Sequence, residues 1–178
     1  VIGRLKTFTT LFINTVSGFI VVLTAVMIFF REEVTLVSSQ NFLLVLATTL
    51  LGFISWLYFY KALERQELSL IASLDESWII IAIILGIAFF GESIAILHIA
   101  AVVAVLIGAF LISADLSRIK HIRFISGSGY ELVSIVAMGL MVPFEKVLVN
   151  SIGAINTIIY VYTLTLLLIL LWGVTYKW

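Results

Sequence analysis

The stretch LSLIASLDESWIIIAIILGIAFFGES, residues 68–93, decides the fold. It is apolar almost throughout and shows no alternation of apolar and polar residues. At 1.5 Å per residue, about 20 such residues cross a hydrocarbon core of about 30 Å. Lipid offers no partner for a free backbone N–H or C=O, so a run of this kind specifies a membrane-spanning helix. Asp75 and Glu76 stand inside it. Carboxylates at such depth are costly and face a partner or a water-filled cavity.

The same pattern continues in both directions. Runs at 7–30, 41–61, 95–113, 130–149 and 154–174 join 68–90 to give six predicted spans. The fold class is therefore all-α, a polytopic membrane helical bundle, because unalternating runs of this length exclude a closed barrel. Composition agrees: 63% of residues are hydrophobic and 11% charged, with mean hydropathy +1.26. A soluble domain has roughly 45–50% apolar and about 25% charged residues. The connections are short and polar, and none can hold a soluble domain. The chain begins at Val1 and ends directly behind an apolar run, which reads as a piece of a longer protein. Arg4 and Lys6 ahead of the first run imitate a signal peptide, but that run is too long for one and no small-residue cleavage site follows.

Charge and residue usage exclude several functions. Net charge is zero, which argues against a nucleic-acid partner. Cysteine is absent, and His98 and His121 lack ligand spacing, so neither a metal nor a cofactor is expected. HExxH, GxSxG and Walker A motifs are missing, and the chain is not expected to be an enzyme. With no ATPase domain in the sequence, any transport would draw on a gradient or a partner. The Lys/Arg bias sets orientation: eight basic residues (Arg4, Lys6, Lys61, Arg65, Arg118, Lys120, Arg123 and Lys177) fall on one face against Arg31 and Lys146 on the other. That bias places Val1 and the loops 61–67 and 114–129 in the cytoplasm.

Candidate functional residues follow from cost. Adjacent helix positions point about 100° apart, so Asp75 and Glu76 cannot both face one partner. One would line a cavity and the other a neighbouring helix, and desolvation makes either a candidate proton carrier. A hydrated, interfacial pair, with the span starting near Trp78, is the alternative. Trp56, Tyr60 and Trp78 are candidate pocket walls for an organic solute, although interface anchoring explains them equally well. Glu145 and Lys146 form a charge pair after Pro143, which can kink a helix, and the three are gate candidates; a snorkelling pair at the interface is the alternative. Glu92 at the end of the third run is expected to cap the next helix. Asn14 and His98 are expected to make interhelical hydrogen bonds. Two small-residue faces, Ala82 with Gly86 and Ala100 with Ala104 and Gly108, are expected to pack helices closely or to join a homodimer. The ISGSG segment at 125–129 reads as a joint rather than a phosphate loop.

Residues 54–113 resemble the EamA domain of the drug/metabolite transporter superfamily. The resemblance rests on YFYKAL (58–63), ELSLIASL (67–74), FFGES (89–93) and AVVAVLIGAFLI (101–112) in that order, and on residues 129–162, which look like the opening of the family's second repeat. It implies a ten-span fold of two inverted five-helix repeats. Residues 1–113 would then hold spans two to five of the first repeat, 114–129 the inter-repeat loop, and 130–178 the first two spans of the second. The family usually carries a proline near Glu76–Trp78, where this chain has acidic residues instead. Family members often have a cytoplasmic N-terminus, whereas one span ahead of Val1 would put it outside by the charge count.

The expected function is secondary transport of small organic metabolites by alternating access, with protons as a possible second partner, in a prokaryotic plasma membrane. A non-transporting scaffold that assembles partners through small-residue faces is the alternative.

Overall fold

In a computed structural model, described for residues 7–65, 68–93, 95–113 and 128–175, the chain is helical with no strand among the described residues. Seven α-helices follow in order: α1 (Thr7–Phe29), α2 (Ser39–Leu63), α3 (Leu68–Asp75), α4 (Trp78–Phe90), α5 (Ile96–Ser113), α6 (Ser128–Ile152) and α7 (Ala154–Thr175). A single 3-10 turn, Arg31–Glu33, follows α1. The loop 114–127 and His121 lie outside the described residues, as does the side chain of His98. Of the ISGSG segment, Ser128 and Gly129 open α6.

Helices α1, α2, α6 and α7 are long and apolar enough to cross a membrane. The third run, expected as one helix over 68–90, is instead divided into α3 and α4 by Glu76 and Ser77. The break is closed by short-range bonds: Ser77 N–H donates to the Leu74 carbonyl at 3.0 Å, and Ile80 N–H to the Ser77 carbonyl at 3.1 Å. Asp and Ser side chains compete with the helical ladder for backbone partners, and three polar residues in sequence interrupt it here. Asp75 is therefore the last residue of α3 rather than a residue one third of the way along a span. The thirteen residues of α4 reach only about 20 Å. Gly91, at φ 62°, ends α4 in the left-handed conformation that favours glycine.

The bundle is built around α2, which packs along α6 and also touches α1, α3 and α7. Its inward face is Val45, Thr48, Thr49, Gly52 and Ser55, all buried. Opposite them on α6 lie Ser134, Ile135 and Ala137. Small residues let the two backbones approach. The Ser134 hydroxyl donates to the Ser55 carbonyl at 3.0 Å, and a Cβ on Gly52 would come within 2.9 Å of Met141 Sδ. Other hydroxyls bond their own helix four residues back, as Thr49 does to Val45, Thr163 to Ile159 and Thr165 to Val161, which satisfies them without water.

The two ends of the bundle are each tied across helices. At one end the Thr7 N–H and hydroxyl donate to the Glu64 carboxylate, and Phe8 packs on Trp172. At the other, Asn156 receives the Thr35 N–H and donates to the Glu33 carbonyl, while the Tyr160 hydroxyl donates to Thr35. Lys61 and Arg65 fall at the first end, Arg31 and Lys146 at the second.

Small residues line the α2–α6 contact, which was not among the faces expected from sequence. Ala100 and Ala104 on α5 are exposed, and a Cβ on Gly108 would meet no atom within 4 Å. On α4, Ala82 is half-buried, while Gly86 is covered by the carboxylate of Glu92 rather than by another helix. Asn14 is exposed. Spacing along one helix does not reveal which side a neighbour covers.

Candidate functional site

Helices α3 and α4 run beside α6 in the same direction and meet it at three levels. At the first level stands Glu131, in the opening turn of α6 and only 1% exposed. It shares a face with Ser134 and Ile135, three and four residues on, and that face points into the bundle. Among the described residues no donor reaches either of its carboxylate oxygens. The group that faces it is the carboxyl of Asp75, half-buried at the end of α3. Tyr130, next to Glu131 in sequence, packs with Phe59 and Tyr60 against an apolar cluster of Ala62, Leu63 and Ile71.

The cations of α2 are engaged elsewhere. Lys61 Nζ lies 5.0 Å from the centre of the Tyr58 ring, and the Arg65 guanidinium lies 4.7 Å from that of Tyr130. Glu76, in the turn, places like charge beside Asp75 and does not itself face Glu131. Asp75 thus has a partner that sequence reasoning missed. A glutamate in the first turn of a helix reads as an exposed residue that complements the dipole. The signal that could have found it is its place at i, i+3, i+4 with Ser134 and Ile135.

At the middle level α4 crosses α6 at Gly139. A Cβ there would stand 2.6 Å from Ile81 Cβ and 3.1 Å from the Trp78 carbonyl oxygen. Pro143 lies four residues on within an α6 that continues unbroken through it. Having no N–H, it cannot bond the Gly139 carbonyl, so the helical ladder lacks a rung at the crossing.

At the third level Lys146 forms a salt bridge with Glu92, just beyond the end of α4. Its Nζ also lies 4.6 Å from the centre of the Phe90 ring. The expected pairing of Lys146 with Glu145 is replaced by this one, because neighbours in sequence diverge around the helix whereas Glu92 arrives from another helix. The Glu92 carboxylate binds Lys146 and lies over Gly86. Both partners are a little under half exposed. From Glu131 to Lys146, fifteen positions of α6 span about 22 Å.

The aromatic candidates are only partly assembled. Trp56 stacks on Tyr60 at 5.9 Å and meets Phe59 edge-on at 5.7 Å, all on α2. Trp78 joins α6 through its backbone, and no ring contact links it to Trp56 or Tyr60 among the described residues. A cavity of about 310 Å³ lies near the opposite end of α2, lined by Leu36, Val37, Phe42, Val45, Tyr160, Thr163 and Leu164. It is away from the carboxyls. Among the described residues no three His, Cys, Asp or Glu side chains converge as metal ligands.

The family model of the EamA-like transporter family matches residues 1–114. No curated protein and no solved structure matches the chain.

Proposed function

The chain belongs to the EamA-like transporter family, and from that premise we propose that it is a secondary transporter, moving a small organic metabolite by alternating access without ATP. The observation that carries the mechanism is the three-level contact of α3 and α4 with α6. A short helix held by polar contacts at both ends, and crossing a weakened stretch of its neighbour between them, can tilt about the crossing. Tilting opens one end while the other stays closed, as alternating access requires. Asp75 with Glu131 guards one end, Glu92 with Lys146 the other, and Ile81 on Gly139 is the pivot. Glu76 completes the acidic turn. Trp56, Tyr60 and Trp78 supply apolar walls to a solute admitted beside α4. We take the membrane to be a prokaryotic plasma membrane, with Lys61 and Arg65 on its cytoplasmic side.

Solute uptake by the full-length protein in proteoliposomes tests this, offering pooled amino acids, nucleosides and small amines under an imposed pH gradient. Accumulation above protein-free liposomes is expected, and it should fall when Gly139 is enlarged. Background flux for every solute by folded protein would favour the scaffold reading, for which the uncovered Ala100, Ala104 and Gly108 face of α5 would be the docking side.

A further inference from the structure

We propose that Asp75 and Glu131 together form a site for a single proton, one carboxyl donating a hydrogen bond to the other across the α3–α6 contact. Its role as the coupling site rests on the transport reading above, but the site itself does not. Glu131 is the only buried carboxylate side chain among the described residues, and neither oxygen has a donor. An ionised carboxylate sealed from water needs a cation or donors, or it costs several kcal/mol. Two facing carboxylates would be worse, as like charges close together cannot both ionise cheaply.

Among the described residues, every other source of relief is committed or distant. Lys61 of α2 lies over Tyr58 and Arg65, two residues beyond α2, over Tyr130, while Tyr60 packs against the apolar cluster. From the turn after α3, Glu76 adds negative charge beside Asp75. Helix α4 contains no ionisable residue. The tyrosines of α7 lie toward its other end, with Tyr160 bonded to Thr35 and Tyr162 against Gly18. On α6 itself, Tyr130 carries Arg65, and Glu145 with Lys146 sits about four turns away. Among these groups none is left to face the pair, and a proton would meet the need: it turns one acceptor into a donor and removes one charge.

The geometry also gives the proton a route. Asp75 is half-buried at a helix end beside the Glu76–Ser77 turn, whereas Glu131 is closed off. Release breaks the O–H bond of the shared proton, passes that proton to water as hydronium through Asp75, and leaves two carboxylates. Their repulsion separates α3 from α6, and rebinding a proton draws the helices together. Proton occupancy would thereby set the tilt of α4, which continues from α3 through two residues.

The test is infrared difference spectroscopy of purified full-length protein in lipid, titrated with pH. Wild type is expected to show the C=O stretch of a protonated carboxylic acid at neutral pH, equivalent to a single group. Glu131→Gln and Asp75→Asn should each abolish it, because the new amide N–H replaces the shared proton and leaves the other carboxyl ionised. Glu76→Gln should leave it in place. Gel filtration and thermal unfolding establish that each variant is folded, and either of the two single variants alone suffices if the other fails to fold. Absence of the band from wild type at neutral pH would overturn the proposal, as would its survival in both Glu131→Gln and Asp75→Asn. No solute is needed, so this result stands apart from success or failure of the uptake assay.

Discussion

Replacing Gly139 by alanine tests the α4–α6 crossing most directly. The added methyl would stand 2.6 Å from Ile81 Cβ, 2.7 Å from its Cγ2 and 3.1 Å from the Trp78 carbonyl oxygen. Carbon atoms in good contact lie about 3.5–4.0 Å apart, so roughly 1 Å must be found. Ile81 cannot supply it by rotating, because its Cβ is fixed to the backbone; α4 itself must retreat. Overpacking of this kind costs about 1–3 kcal/mol. Alanine is the better helix former by about 1 kcal/mol, which offsets part of that cost. A net loss of about 1 kcal/mol is expected. Gly108→Ala on α5 is the matched control: among the described residues nothing lies within 4 Å of its new methyl, so only the propensity gain of about 1 kcal/mol remains. The two variants should therefore differ by about 2 kcal/mol, the steric cost alone. Equilibrium unfolding of the full-length protein in mixed micelles measures this. If Gly139→Ala proves as stable as Gly108→Ala, α4 does not cross α6 at that glycine, and the pivot argument fails with it.

Glu92→Gln and Lys146→Met should each change stability by less than about 1 kcal/mol, since the pair is nearly half exposed. If the pair closes one end, both should alter solute flux, and the double variant should be no worse than either single one. Additive flux defects would show that the residues act independently. Asn156→Ala removes bonds to the Glu33 and Ile152 carbonyls and strands the Thr35 N–H. A loss of about 1–3 kcal/mol is expected, together with faster proteolytic cleavage within residues 31–38; unchanged cleavage would mean that Asn156 does not hold this segment.

The long helices were legible because lipid leaves the backbone few choices: apolar runs near 20 residues, as at 7–29, 39–63, 128–152 and 154–175, have one stable form. The division of the third run was less legible. Thirteen strongly apolar residues follow Asp75-Glu76-Ser77, and total length favoured one helix although local polarity favoured two. The acidic turn stands out in the sequence, but the partner of Asp75 does not. Glu131 stands in another helix, in a first turn where a carboxylate ordinarily needs no explanation. For Lys146 the nearest acid in sequence was chosen over the one that meets it in space, Glu92. Gly86 was read as a helix-packing residue and instead accommodates a carboxylate.

The sequence by itself determined that this is a helical membrane protein with a charged interruption in its third apolar run, because hydropathy and backbone hydrogen bonding are properties of each segment alone. Only the tertiary structure decided that Asp75 faces Glu131, that Glu92 holds Lys146, and that Ile81 rests on Gly139. Those contacts depend on how far each helix is rotated about its axis and on its register against its neighbours. Apolar faces that lipid and protein can both cover leave that rotation and register unspecified until the helices pack.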